Sequence, residues 1–287
     1  MPYQKAKPVK PQPVSCELKS AHVSGFLSLI SGMPLFRFIK HYFSKKSEFP
    51  ERYRKRLSEN VRFYRRLNSD QKEKLVDRMK VFMDEKIFEG CGGLDLTDEM
   101  RVVISANACL LILEEPSDYY PDLQSILVYP DDYVAPVYDE NPGGIVTEGN
   151  ERRQGESWDT GSIVLSWADI LETTQSGSNN QNLVVHEFAH QLDLQYGLSA
   201  AISIEGEVLN EGDEWTEELA KTYRQLIKNV RFGRKGGVLD LYGATNPAEC
   251  FAVVMEAFIE SPRDLQIKYS KLYRMLSEFL GMDPGRW

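Results

Sequence analysis

Apolar positions recur at helical spacing through most of this chain and at strand spacing only in a short middle stretch. Residues 51 to about 88 place charged blocks between apolar positions and predict two amphipathic helices. Thr97-Asp98-Glu99 can cap a more apolar helix running through Leu113. Ser125 to Tyr129 and Gly161 to Ser166 are short, apolar and β-branched, with turn residues between them that include Asn141-Pro142-Gly143-Gly144; they predict a small sheet. Helical spacing returns at Asp213 to Val230, again after Asn246-Pro247, and from about Ser270 to Leu280. The expected class is α+β, a small mixed sheet packed on one central helix and preceded by further helices.

That central helix carries the most informative residues of the chain, His186-Glu187-Phe188-Ala189-His190. Two imidazoles four residues apart leave the same helical face and can share one zinc ion. Glu187 points to the neighbouring side, where it can take a proton from a water in the open position of the metal. Polar Ser176 to Asn180 precede the motif, with asparagines able to cap, and Gly197 follows where helices commonly stop, so a helix of about 15 residues is bounded at both ends. Val184, Val185, Phe188, Ala189 and Leu192 cover the rest of its surface, leaving the histidine face to a cleft. Two hydrogen-bonded core histidines are the bland alternative, but burying both beside a carboxylate would demand several polar partners.

No histidine follows His190, and His22 and His41 lie far upstream, so a carboxylate is expected to complete the site. The four cysteines, Cys16, Cys91, Cys109 and Cys250, show no metal-ligand spacing. Pro247-Ala248-Glu249-Cys250-Phe251-Ala252-Val253-Val254-Met255-Glu256-Ala257-Phe258 reads as a largely buried helix with two acidic residues on one face. One of these is the third ligand, with Glu249 preferred. Glu256 and Asp193, one turn past His190, are the candidates for orienting a ligand from behind.

His186 to Asp193, Asp240-Leu241-Tyr242-Gly243-Ala244 and Pro247 to Val253 together resemble the Mlc titration factor A family of zinc peptidases. Phe88-Glu89-Gly90-Cys91-Gly92-Gly93, Val128-Tyr129-Pro130, Gly155-Glu156-Ser157-Trp158 and Val164-Leu165-Ser166-Trp167 resemble that family's segments in the same order. The resemblance spans roughly residues 52 to 284 and implies a zincin-like metallopeptidase domain over 51–287. It implies that His186, His190 and Glu249 hold zinc, that Glu187 is the general base, and that Tyr242 stabilises the transition state. It further implies cleavage of short aminoacyl or peptide substrates, an aminopeptidase-like activity, and binding of a transcriptional repressor of sugar uptake. In zincin folds an edge strand borders the cleft and can pair with substrate backbone; the strand after Trp158 is the candidate.

Composition places the remaining limits. The chain has 287 residues, 42% hydrophobic and 27% charged, enough for a substantial core. Unpaired cysteines suit a reducing compartment, and a cytoplasmic location is expected. Residues 1–80 carry a balance of +12 and the remainder −21, so the two parts should attract each other. Basic Arg52 to Arg56 and Arg62 to Arg66 therefore pair intramolecularly or face solvent, and nucleic-acid binding is disfavoured. Residues 1–22, rich in proline and lysine, read as a flexible tail, and 23–50 as an apolar and basic extension. Val23 to Phe43 is too interrupted for a membrane span and fits a packed or peripheral amphipathic segment that could touch a membrane surface. A second function class stays open: a regulatory binding protein that sequesters a transcription factor, its zinc site structural or weakly active.

Overall fold

A computed structural model describes residues 48–114, 119–131, 133–140, 146–153, 155–158, 161–176, 181–209 and 212–287. The expected tail and the segment 23–43 lie outside these residues, as does the Asn141 to Gly144 turn. Helices α1 (Glu51–Asn60) and α2 (Ser69–Glu85) flank a short 3-10 turn (Phe63–Arg65), as the charged amphipathic pattern predicts. Strand β1 (Ile87–Gly90) follows, then α3 (Asp98–Leu110), β2 (Ser125–Tyr129), the antiparallel pair β3 (Tyr133–Glu140) and β4 (Val146–Arg153), β5 (Gly155–Trp158) and β6 (Ser162–Ser166). The rest is helical: α4 (Trp167–Ser176), α5 (Leu183–Tyr196), α6 (Glu214–Arg231), a 3-10 turn (Leu241–Ala244), α7 (Pro247–Glu260), α8 (Pro262–Lys268) and α9 (Ser270–Leu280).

Helix starts are set by side chains that satisfy otherwise unpaired backbone donors. Asn68, Thr97, Asn182, Asp213 and Asn246 each accept from the N–H three residues on, a contact that stabilises a helix by about 1 kcal/mol. At Asn68 the cap is reciprocal, because Gln71 accepts from the Asn68 N–H. Helix α5 ends at Gly197, whose φ of +66° lets its N–H return to the Asp193 carbonyl at 2.7 Å.

Four strands form the main sheet in the order β1-β2-β6-β5. The first three run parallel and β5 is antiparallel to β6. This corrects the expected edge strand: β6, the strand after Trp158, has neighbours on both sides, and β5, which ends at Trp158, lies at the edge. The physical reason is visible in β6 itself, where Ile163, Val164 and Leu165 are all buried, as suits a strand covered on both faces.

One face of the sheet supplies Ile126, Val128, Ile163 and Leu165 to the main core. Helix α5 joins that core through Phe188, whose ring lies 4.8 Å from Tyr120 and 5.8 Å from Phe82. On its other side α5 packs against α7, which is buried from Cys250 to Ile259. A helix covered on both flanks leaves only one stripe open, and His186 and His190 occupy it. Charge attraction between the two parts of the chain takes the form of pairs Arg52–Asp98, Arg56–Glu99, Lys74–Glu114 and Arg62–Glu260. Among the described residues no helix is long and apolar enough to cross a membrane.

Candidate metal centre

His186, Glu187 and His190 are carried by α5 and Glu249 by the first turn of α7. Pro247 opens α7 and Asn246 caps it by accepting the Glu249 N–H at 2.9 Å, which aims that residue's side chain toward α5. Glu249 Oε2 lies 2.9 Å from His186 Nε2 and 3.5 Å from His190 Nε2. One ligand atom from each of these three residues falls within 4.8 Å of the others, the one such cluster among the described residues.

The tautomer of His186 is set from behind. Its Nδ1 is 2.7 Å from Glu256 Oε1, so Nδ1 carries the hydrogen and Nε2 presents a lone pair to the site. A lone pair and a carboxylate oxygen 2.9 Å apart repel unless a cation, either a proton or a metal, stands between them. Ligand atoms on a tetrahedral zinc are about 3.3 Å from one another, close to both separations. Two imidazoles and one carboxylate therefore fit a borderline divalent metal.

Electrostatics follow the same geometry. Burial would lower the pKa of His186, but hydrogen bonds to Glu249 and Glu256 outweigh it and raise the pKa well above the usual value. Burial would raise Glu249, yet its contacts with both histidines bring it down to about 2. Glu187 moves oppositely: buried, with the histidines offsetting only part of that effect, its carboxyl is pushed up. Its Oε2 is buried and has no hydrogen-bond partner among the described residues. An orphaned acceptor beside a cation site is what a water-activating carboxylate requires before its water is bound.

Tyr242 stands at the mouth of the site. Its ring centre is 6.0 Å from that of His186 and it is 55% exposed, so its phenol can face an incoming molecule. Asp240 holds the turn by accepting the Tyr242 N–H at 2.8 Å. Gly243 lets the turn sit against α6 and α7: a Cβ there would come within 3.0 Å of Leu226 Cδ1 and 3.3 Å of the Cys250 Cα.

Of the two expected orienting carboxylates, the structure brings Glu256 to His186 and leaves Asp193 elsewhere. Both oxygens of Asp193 are taken by Ser199, from its N–H at 2.7 Å and its Oγ at 2.5 Å, bracing the loop after α5. Sequence reasoning missed Asn182, whose backbone N–H donates to Glu256, and Asn107 and Glu260, which accept from the Asn182 side chain. Their signals were present: an asparagine three residues before Val185, an asparagine inside the apolar α3, and an acidic residue one turn beyond Glu256.

The profile of the glucose-regulated metallo-peptidase M90 family matches residues 37–280. Over 261 residues the chain is 35% identical to uncharacterized protein slr2042 of Synechocystis sp. (strain ATCC 27184 / PCC 6803 / Kazusa), covering 91% of this chain and 94% of that one. It is 30% identical to Mlc titration factor A of Cronobacter sakazakii, covering 76% of this chain and 82% of the relative. Identity to Mlc titration factor A of Yersinia pestis is 28%, covering 78% and 83%. With a match over most of its length and a clustered His-His-Glu set at its centre, the chain belongs to the glucose-regulated metallo-peptidase M90 family.

Proposed function

We propose that this protein is a zinc-dependent peptidase in which His186, His190 and Glu249 hold the metal. The observation that carries the reading is the convergence of those three ligand atoms near Glu187, whose buried oxygen has no hydrogen-bond partner among the described residues. When bound, zinc supplies Lewis acidity toward a water and toward the scissile carbonyl. Glu187 is the general base: its raised pKa makes it a competent acceptor of the water's proton and a donor of that proton to the leaving amine. Tyr242, exposed beside His186, donates its phenolic hydrogen to the carbonyl oxygen as charge builds there. Glu256 keeps the His186 lone pair aimed at the metal.

Substrate backbone has a natural template in β5. This edge strand lies against α5 and pairs only with β6 among the described residues, so its outward N–H and C=O groups can bind an extended peptide or aminoacyl amide. Short substrates with a free amino end, hence aminopeptidase-like action, are the preferred class. Glu187→Gln is expected to retain zinc and lose hydrolysis of aminoacyl amides by about three orders of magnitude or more. Zinc content by mass spectrometry and chelator-sensitive turnover check this, and cleavage by Glu187→Gln at the native rate removes the assignment.

A second role is favoured by the name of the relatives, Mlc titration factor A. In it the chain also binds a transcriptional repressor, and capture of such a repressor by purified Glu187→Gln protein would separate binding from catalysis.

A further inference from the structure

We propose that Asn182 is a positioning residue for the metal site, acting through Glu256 by locking the start of α5 to α7. This rests on the metal-site reading above. Asn182 is 2% exposed, yet every one of its polar groups is engaged. Its backbone N–H donates to Glu256 Oε2 at 2.6 Å and its carbonyl accepts the His186 N–H at 2.9 Å. Its Oδ1 accepts the Val185 N–H at 3.1 Å, while Nδ2 donates to Asn107 Oδ1 at 2.9 Å and to Glu260 Oε1 at 2.7 Å. Val185 needs an acceptor and Glu260 a donor, so the amide can adopt only this orientation.

A carboxylate that orients a histidine must itself be fixed, and Glu256 uses one oxygen on His186 and the other on Asn182. The Asn182 amide anchors this turn to Asn107 and Glu260; without that anchorage the backbone N–H shifts away from Glu256 Oε2, freeing the Glu256 side chain to rotate and the His186 ring with it. The chain of contacts continues outward. Glu260 Oε2 accepts from Arg62 at 2.7 Å, and Arg66 reaches the Ile259 carbonyl at the end of α7. The 3-10 segment between α1 and α2 is thus tied, through Glu260 and Asn182, to the carboxylate behind the metal-binding imidazole. Buried polar groups satisfied this completely hold one geometry, since any alternative leaves a donor or a charge unpaired.

The test uses cobalt(II) as the probe metal, with affinity from competition against a chromophoric chelator and ligand geometry from the visible absorption bands. Asn182→Ser keeps an oxygen that can cap α5 and removes both amide donors. It is expected to weaken cobalt affinity about tenfold and to shift the bands. In a Glu256→Gln background the same substitution should change affinity by less than about twofold, because the residue acts through Glu256. Unchanged affinity and bands, or an equal loss in both backgrounds, overturns the proposal. Melting of the metal-free proteins shows whether Asn182→Ser folds. If it does not, Glu260→Gln, which must lose either its Asn182 or its Arg62 contact, should lower affinity at least about threefold in the native background alone, and an unchanged affinity there overturns the proposal. Failure of the native protein to bind cobalt at all would instead remove the metal-site reading itself.

Discussion

Glu187 and Glu249 are two carboxylates that interact electrostatically with the same imidazoles and are driven in opposite directions. Burial raises one and histidine contacts hold the other at about 2, so one can carry protons while the other stays an anion fit for a cation. Stability of the metal-free protein should record this. Glu249 has a depressed pKa, so its contribution is present above its ordinary value of 4.5 and is lost as pH falls toward about 2. His186 has a raised pKa, so its contribution is full below 6.5 and is lost as pH rises through its folded value. The raised Glu187 carboxyl adds a contribution that is full below 4.5 and fades as pH rises above it, so metal-free melting temperature is expected to peak toward the acid end of the interval between these two ordinary values and to decline on both arms, checked by calorimetry in chelator. A flat profile would contradict the ion-paired cluster. At this scale the candidate ligands His186 and His190 were legible in the sequence because a helix fixes one against the other by local geometry alone. Asn182 was hidden, since its importance comes from Glu256 and Glu260, residues more than seventy positions away.

Between elements, the site depends on how closely the Tyr242 turn approaches α7. Gly243 has no side chain where a methyl would press on Leu226, Cys250 and Val253 at 3.0 to 3.3 Å. Gly243→Ala should displace the turn by a few tenths of an ångström and lower kcat about tenfold, with metal affinity unchanged. Steady-state kinetics and the cobalt titration check it; equal losses in both would place the defect in α7 instead. Helices α5, α6, α7 and α9 and strands β2 and β6 were readable because caps, prolines and apolar runs act within a few residues. The position of β6 inside the sheet was not. Strand order depends on which partners arrive from distant parts of the chain, and Gly155 to Trp158 carries too little apolar character to announce an edge strand.

For the whole molecule, the basic and acidic parts of the sequence meet as surface and half-buried pairs. Exposed ones such as Arg52–Asp98 contribute little individually, whereas Arg62–Glu260 anchors a buried network. Attraction between the parts was evident from charge counting, but which arginine would matter was not. Metal should stabilise the entire fold: at a hundredfold excess over Kd, zinc is expected to add about 2.7 kcal/mol and raise Tm by about 5–10 °C. Differential scanning fluorimetry with and without chelator measures this, and the shift should vanish in His190→Ala.

His186 and Glu249 are 63 residues apart in sequence. On the proposed reading, an ion shared between them would be a clasp on a long loop, and opening that clasp would expose the intervening backbone as well as stop turnover. Scarcity of the ion would then shorten the protein's lifetime before proteases, so that supply of one inorganic nutrient governs both how fast each copy works and how many copies persist.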